Sequence, residues 1–153
     1  MKLRILAVGR DRSGLYQPAI DAYAARIARY ARIELVELPE ARRHAGTPQA
    51  KEEEGATILA KLRPGERVVA LDERGQEHDS AAFAARVGRW LQGGKDVALV
   101  LGGADGLAAA VRARADETLA LSRLTLAHRL ARLVLAEQLY RAFTILRREP
   151  YHK

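Results

Sequence analysis

The chain has 153 residues, 26 lysines and arginines against 19 aspartates and glutamates, a net charge of +7 at pH 7, and no cysteine. This length suits a single domain, residues 1–153, with its own buried core, and the lack of cysteine excludes disulfides and thiolate metal sites. The four histidines lie far apart, without HxH or HExxH spacing, so we expect no metal site.

No stretch reaches the ~20 apolar residues that a membrane span needs, and the first apolar run is too short for a signal peptide. We therefore expect a cytoplasmic protein without a membrane partner. Positive charge gathers at the two ends: residues 1–50 carry 9 basic and 5 acidic side chains, and residues 123–153 carry 7 and 2. Such concentrations of Lys and Arg favour a polyanionic partner, although many basic domains bind no anion.

Hydrophobic periodicity predicts strands and helices that alternate along the chain. The predicted strands are 2–8, 33–38, 68–71 and 97–101. The predicted helices are 14–31, one that begins at Pro48 behind a Thr47 cap, one between Asp79 or Ser80 and Gly93, then 107–115, and a long one from His128 to Leu146. This alternation predicts an α/β fold, with a mainly parallel sheet flanked by helices and strand 97–101 at its centre.

Two polar segments lie between these elements. Residues 40–49 are predicted to form a loop that carries Arg42, Arg43 and His44. It is either a mobile basic loop over a polyanion or a solvated connection. The acidic run 52–54 is expected to be a solvated face, favoured by the dipole at the start of its helix.

Ligands of such folds bind in the crevice beyond the carboxyl ends of the strands. Three loops are predicted to lie there: the one after Leu71, the one after Leu101, and 121–126. The second loop contains Gly102, Gly103 and Gly106 between a strand and a helix, where glycine lets the backbone approach a ligand. It matches neither GxGxxG nor a P-loop, so an ordinary glycine turn, with Asp105 as helix cap, remains an alternative.

The third loop is unusually apolar for an exposed connection. Its backbone N–H and C=O groups need partners, which the edge of an adenine ring would supply while leucines pack on the ring. A buried strand is the alternative that composition alone favours. The residues of this third loop are Leu121, Ser122, Arg123, Leu124, Thr125 and Leu126.

The long last helix is apolar on more than one face, with one narrow polar stripe at Glu137, Arg141, Thr144 and Arg148. A helix of this kind must be covered on more than one side, so we expect the sheet on one side and a second copy of the protein on another. Pro150 is expected to prevent continuation of the helix. The aromatic end of the chain is expected to dock near a site rather than to fray.

Five motifs occur in order along the chain: Met1-Lys2-Leu3 with Ala7-Val8-Gly9, the turn 100–107, the loop 121–128, Glu137-Gln138-Leu139-Tyr140-Arg141-Ala142, and Pro150-Tyr151-His152-Lys153. Together they closely resemble the ribosomal large subunit methyltransferase H family, SPOUT-class bacterial enzymes that methylate N3 of a pseudouridine in 23S rRNA. The resemblance covers essentially the whole chain. One departure is Ala127, where the family usually has proline before the loop histidine.

The resemblance implies a C-terminal trefoil knot, a homodimer, and S-adenosylmethionine as methyl donor. It implies cofactor contacts at Leu71, at Gly102 and Gly103, and through 121–126, the three loops that the crevice argument also selects. It further implies that the basic last helix and the tail meet 23S rRNA of the ribosome, beside the partner's cofactor site. The candidate catalytic residues are Arg141, Tyr151, His152 and, as an alternative base, His128.

Two rival functions remain open at the level of sequence. A non-catalytic RNA-binding ribosome-assembly factor would share the basic ends but needs no cofactor loop. A nucleotide-binding enzyme for small molecules would have the loops but no response to RNA.

Overall fold

The computed structural model describes all 153 residues, and its centre is a five-stranded, wholly parallel sheet in the order β2-β1-β4-β3-β5. The strands are β1 (Lys2–Val8), β2 (Arg32–Leu38), β3 (Arg67–Glu77), β4 (Val97–Leu101) and β5 (Glu117–Ala120). The α/β class and the central position of β4 are confirmed. The trefoil knot stays a prediction.

Helices cover both faces of this sheet, because strand residues alternate between two apolar cores. The helices are α1 (Gln17–Ile27), α2 (Pro48–Lys61), α3 (Ser80–Gln92), α4 (Ala109–Arg114) and α5 (His128–Leu146). One core joins the sheet to α1, α3 and α5, and the other joins it to α2 and α4. No helix of the structure has the length and apolar character needed to span a membrane.

The third strand is longer than the sequence predicts. Leu71 and Gln76 both lie opposite Leu119 of β5, so residues 72–75 bulge out of the ladder instead of ending the strand. Gly75 permits this geometry, because a Cβ there would lie 2.6 Å from the backbone of Leu119. The bulge still projects at the carboxyl edge, where the sequence placed a loop.

Several local predictions hold at the ends of helices. Thr47 and Asp79 accept hydrogen bonds from Ala50 N–H and Ala82 N–H, as N-caps do. Asp105 does not cap α4: the helix starts later, behind Ala108, without any side-chain cap. Residues 121–127 are irregular, which removes the buried-strand alternative for this segment.

Two predicted solvent-facing residues are buried. Thr144 is fully buried, because its hydroxyl donates to the carbonyl of Arg141 within the helix and so needs no water. Glu54 is 8 % exposed and accepts a hydrogen bond from Ala41 N–H. Their polar type suggested exposure, but each has a local partner that satisfies it.

The end of α5 is set before Pro150. Glu149 N–H bonds to the carbonyl of Thr144 and Arg148 N–H to that of Ile145. This is a Schellman motif, in which Arg148 takes the left-handed position with φ of 57°. The chain therefore turns back at residue 148, which directs the last residues along α5.

A candidate cofactor cleft and a separate polar cluster on the last helix

A cleft of about 350 Å³ opens at the carboxyl edge of β3, β4 and β5. Parallel α/β sheets bind ligands at this edge, where their loops converge. The three loops singled out from sequence all line it. Of the nine predicted cofactor residues, eight are part of the wall: Leu71, Gly102, Gly103, Leu121, Ser122, Leu124, Thr125 and Leu126.

Arg123 is the exception. Its side chain is 88% exposed and forms an ion pair with Glu77 on the bulged end of β3. The hydroxyl of Thr125 donates to Glu73 at 2.8 Å. These contacts fasten the 121–126 loop to β3, so Arg123 acts on the wall of the cleft from outside it.

The glycine turn owes its shape to the lack of side chains. A Cβ at Gly102 would lie 2.4 Å from the carbonyl oxygen of Gly106, and Gly106 itself has φ of +80°. A Cβ at Gly103 would lie 3.0 Å from a carboxylate oxygen of Glu54. A tight turn explains this crowding by itself, and it also leaves the bare backbone of Gly102 and Gly103 as part of the cleft wall.

Charged groups at the cleft were missed by the sequence reasoning. Asp72 accepts a hydrogen bond from Arg112 at 2.7 Å, and both side chains line the cleft. Asp72 is largely desolvated, but bonds from Arg74 N–H and Arg112 leave its pKa lowered, so it is a carboxylate at neutral pH. Its place directly after Leu71 was the available signal. Other missed wall residues are Lys51, Glu73, Arg74, Ala104, Asp105, Leu107 and Ala131.

His128 also faces the cleft, at the first turn of α5. Burial, with the nearby charges of Arg129 and Arg132, lowers the pKa of His128, and Glu40 offsets this in part. Its Nε2 is buried, has no hydrogen-bond partner and lies 4.0 Å from a carboxylate oxygen of Glu40. His128 is therefore a neutral imidazole near neutral pH.

The other three catalytic candidates form one cluster near the far end of α5. Arg141 donates to Glu137 at 2.6 and 3.1 Å, and its Nη1 lies 3.3 Å from Nδ1 of His152. Tyr151 donates to the same oxygen of Glu137 at 3.0 Å, and the guanidinium of Arg141 lies 4.8 Å from its ring centroid. Burial, the hydrogen bond between Tyr151 and Tyr23, and the bond that Tyr151 donates to Glu137 raise the pKa of Tyr151, so it stays a phenol at neutral pH.

This cluster confirms that the tail docks on the protein. Glu137 is the shared acceptor, and sequence reasoning placed it in the polar stripe but gave it no role. Tyr23 of α1, which lies 3.5 Å from the Tyr151 hydroxyl, was missed because only the fold brings it there.

The cleft and the cluster are separate within one chain. Arg141 lies thirteen positions after His128 on a continuous helix, which corresponds to about 20 Å along its axis. The structure thus brings together Arg141, Tyr151 and His152, and separates them from His128 and the three loops of the cleft. No group of three or more His, Asp or Glu side chains has the spacing of a metal site.

A parallel sheet with a glycine-turn cleft at its carboxyl edge is typical of α/β enzymes that bind a cofactor there. A family model described as a predicted SPOUT methyltransferase matches residues 1–152. The chain belongs to the SPOUT methyltransferase family. Membership of an enzyme family counts against a non-catalytic RNA-binding factor.

Similar proteins agree with this assignment. A protein of Anaeromyxobacter sp. named Ribosomal RNA large subunit methyltransferase H is 71% identical over 153 residues, which is 100% of both chains. One of the same name from Nitrosospira multiformis is 44% identical over 155 residues, 100% of this chain and 99% of its own. The solved structure of a probable methyltransferase from Bordetella pertussis has a TM-score of 0.58 at 20% identity, over 92% of this chain and 95% of that one. At that identity it shows the fold alone.

Proposed function

We propose that this chain is an S-adenosylmethionine-dependent methyltransferase that acts on N3 of a pseudouridine in 23S rRNA of the large ribosomal subunit. The observation that carries the proposal is the cleft at the carboxyl edge, walled by the glycine turn and the apolar 121–126 loop. Relatives of 71% and 44% identity are named as methyltransferases of large-subunit ribosomal RNA. A ribosomal substrate places the enzyme in the cytoplasm.

The residues of the cleft fit this cofactor. Leu121, Leu124 and Leu126 provide apolar surface for an adenine ring, next to irregular backbone that forms no backbone–backbone hydrogen bond. Gly102 and Gly103 allow backbone contact without side chains in between. When bound, S-adenosylmethionine supplies an electrophilic methyl group on a positively charged sulfonium.

The polar cluster supplies what the nucleophile needs. The N3–H of pseudouridine is a weak nucleophile until it is deprotonated, and negative charge then develops on its flanking carbonyls. In our proposal His152 accepts the proton, Arg141 stabilises the developing charge, and Tyr151 stacks on or orients the base. Neutral His128, on the cleft side, is the alternative proton acceptor.

A second copy of the chain brings the two sites together in this proposal. Within one chain the cluster lies about 20 Å along α5 from His128, too far for a methyl transfer that requires about 3 to 3.5 Å. Leu130, Leu133 and Val134 of α5 remain partly exposed, as expected for a helix with a further partner. The active site is thus a cleft of one protomer and a cluster of the other, in a homodimer.

The test is transfer of a labelled methyl group from S-adenosylmethionine to ribosomes that lack the modification. Free 23S rRNA and modified ribosomes serve as parallel substrates, and the labelled base is mapped. We expect label confined to N3 of one pseudouridine. Saturable cofactor binding without label on any of these RNAs would refute the proposed substrate.

A further inference from the structure

Two loops leave the sheet side by side on the carboxyl edge. Val8 pairs with Leu38 at the ends of β1 and β2, and Gly9 N–H bonds to the carbonyl of Leu38 at 2.8 Å. We call the two segments that follow these strands, residues 9–16 and 39–47, the twin loops. Their proximity follows from strand pairing and not from the order of the sequence.

The twin loops are fastened to the first turn of α5. Arg129 donates from Nε to the carbonyl of Arg10 at 2.9 Å and from Nη2 to Glu40 at 3.1 Å. Arg132 donates to the carbonyls of Val8 and Gly9, both at 2.6 Å. Because His128 of the same turn lines the cleft, these bonds place both loops beside it.

A second contact, through buried Glu54, connects the second twin loop to the glycine turn. Buried Glu54 accepts the N–H of Ala41 in the second twin loop, and its other carboxylate oxygen lies 3.0 Å from the Cβ position of Gly103 in the cleft wall. Lys51, one turn earlier on α2, lines the cleft itself. The second loop is therefore tied to the cleft from two sides, by the bond from Ala41 to Glu54 and by the bond from Arg129 to Glu40.

The twin loops carry four exposed arginines whose side chains form no hydrogen bond or ion pair: Arg10, Arg12, Arg42 and Arg43. Their two acidic neighbours are already engaged. Asp11 accepts bonds from Ser13, Tyr16 and Gln17, which lower its pKa to about 2, and Glu40 accepts from Arg129. The surface therefore presents positive charge without local compensation.

Most other arginines of the chain are paired. Ion pairs with acidic side chains engage Arg4, Arg63, Arg67, Arg86, Arg112, Arg114, Arg123, Arg129, Arg132 and Arg141. Four unpaired guanidiniums on two loops with fixed backbone are suited to phosphate oxygens, which arginine binds through paired N–H donors. Fixed loops also lose less conformational entropy when they bind.

We propose that the twin loops bind the RNA backbone beside the cleft, as a surface separate from the C-terminal cluster. The proposal rests on the proposed function, because it takes RNA as the substrate that the cleft modifies. Phosphate contacts fix position and register but carry no sequence information. The twin loops therefore hold the RNA strand, and the chemistry on the base is left to other groups.

The test compares two double variants, Arg10→Ala/Arg12→Ala and Arg42→Ala/Arg43→Ala, with a control of equal charge change. Arg89→Ala/Lys95→Ala removes two exposed, unpaired cations at the amino edge of the sheet, before β4. For each protein we would measure binding to large ribosomal subunits that lack the modification, at several salt concentrations. Calorimetric cofactor affinity, KM for the subunit and kcat are measured in parallel.

Each loop variant should bind the subunit roughly tenfold more weakly at 0.1 M salt, with the slope of log affinity against log salt reduced by about 1 to 2. KM for the subunit should rise in proportion, while cofactor affinity and kcat stay within twofold. The affinity of the control variant for the subunit should change less than twofold, since salt screens interactions between charges more than about 10 Å apart.

If the loop variants and the control variant bind the subunit equally weakly, the twin loops are not the RNA-binding surface, and the proposed function is unaffected. The same holds for loop variants that bind and react like the wild type. A wild-type protein that binds the cofactor but methylates no ribosomal RNA would overturn the proposed function and this surface with it.

Discussion

The two ends of α5 differ in how they are built. At its amino end, His128 joins a cleft whose walls combine glycine backbone and leucine side chains with charged groups such as the Asp72–Arg112 pair. At its carboxyl end, Arg141 and Tyr151 share one carboxylate of Glu137 within a network of charged and phenolic side chains. The amino end of α5 thus borders the cleft, and its carboxyl end carries a hydrogen-bond network centred on Glu137.

This difference separates binding from chemistry. A concave cleft with apolar loops and bare glycine backbone binds a ligand through shape and through removal of its surface from water. A network of donors aimed at one position stabilises charge as it develops. In the proposed enzyme, changes at the amino end should therefore act on cofactor affinity, and changes at the carboxyl end should act on turnover.

The largest effect is expected from Gly102→Ala. The new Cβ would lie 2.4 Å from the carbonyl oxygen of Gly106, so the turn must shift out of the cleft wall. We expect cofactor affinity to fall by about 100-fold or more, with a loss of about 1 to 3 kcal/mol in the free energy of unfolding. Calorimetry with S-adenosylmethionine and urea unfolding measure the two effects.

Gly93→Ala is the matched control for this change. Gly93 caps α3 with φ of −68°, and a Cβ there would have only ordinary contacts, the nearest at 3.4 Å. We expect near wild-type cofactor affinity. Similar losses in both variants would mean that the glycine turn has no special part in the cleft.

The next largest effect is expected from Arg141→Ala, at the other end of the helix. Removal of one group that stabilises developing charge costs about 100- to 1000-fold in kcat, and cofactor affinity should not change. Arg147→Ala, an exposed arginine without an ion pair, is the control. Full activity of Arg141→Ala would remove Arg141 from the catalytic set.

Mixing Gly102→Ala and Arg141→Ala subunits sharpens the comparison. If each active site combines the cleft of one protomer with the cluster of its partner, random mixing leaves about a quarter of the sites intact. Activity should therefore return to about a quarter of the wild-type value, from nearly none in either variant alone. No recovery in verified heterodimers would contradict the shared site.

Glu54→Gln tests the support beneath the cleft. Burial raises the pKa of Glu54, and the nearby Asp105 and Glu40 raise it further, while the bond from Ala41 N–H lowers it. A carboxyl with a raised pKa loses folding stability as pH rises from its unfolded value of about 4.5 through its folded one. The amide keeps an acceptor for Ala41 without the charge.

We therefore expect Glu54→Gln to be more stable than the wild type at pH 7 and equal to it near pH 4, by urea unfolding across this range. Glu53→Gln, an exposed neighbour on the same helix, should show no such convergence. A wild-type protein that gains stability relative to Glu54→Gln as pH rises would contradict the assigned cause.

The sequence predicted the parts of the fold and site that depend on local pattern. Alternation and short apolar runs predicted four of the five strands and the parallel sheet, but not β5. The carboxyl-edge rule led to the cleft loops at Leu71, Gly102 and Leu121. The aromatic composition of the tail predicted that it docks, whereas the catalytic roles of Arg141, Tyr151 and His152 followed from the family resemblance.

What the sequence did not predict depends on contacts between distant segments. The bulge at 72–75 follows from a register jump against β5. The sequence signalled a break after Leu71, but not that pairing resumes at Gln76. Glu54 looks like the other glutamates of its acidic run, and only the approach of Ala41 and Gly103 explains its burial. Tyr23 joins Tyr151 because α1 packs beside α5, a contact between residues 128 positions apart.

A smaller effect is expected from Arg148→Gly, after the carboxyl end of α5. Arg148 has φ of 57°, a conformation that glycine adopts without the clash of a Cβ. We expect the free energy of unfolding to rise by about 0.5 to 1 kcal/mol. Arg147→Gly is the control: its φ of −93° suits any residue, so glycine there should destabilise.

The smallest effect is expected from Ala127→Pro, at the amino end. The family resemblance implies a proline at position 127. The φ of −54° at Ala127 lies within the range of proline. Its N–H forms no backbone hydrogen bond, so proline removes none. We expect a gain of about 0.4 to 1 kcal/mol, through fewer conformations of the unfolded chain.

Both substitutions should raise thermal stability, but only Ala127→Pro should strengthen cofactor binding. Residue 127 ends the loop that lines the cleft, whereas residue 148 lies beyond the other end of α5. Calorimetry with S-adenosylmethionine on both variants compares them directly. An equal gain in cofactor affinity from Arg148→Gly would mean that the carboxyl end of α5, in the same protomer or in its partner, also determines cofactor binding, and the separation of binding from turnover between the two ends would be wrong.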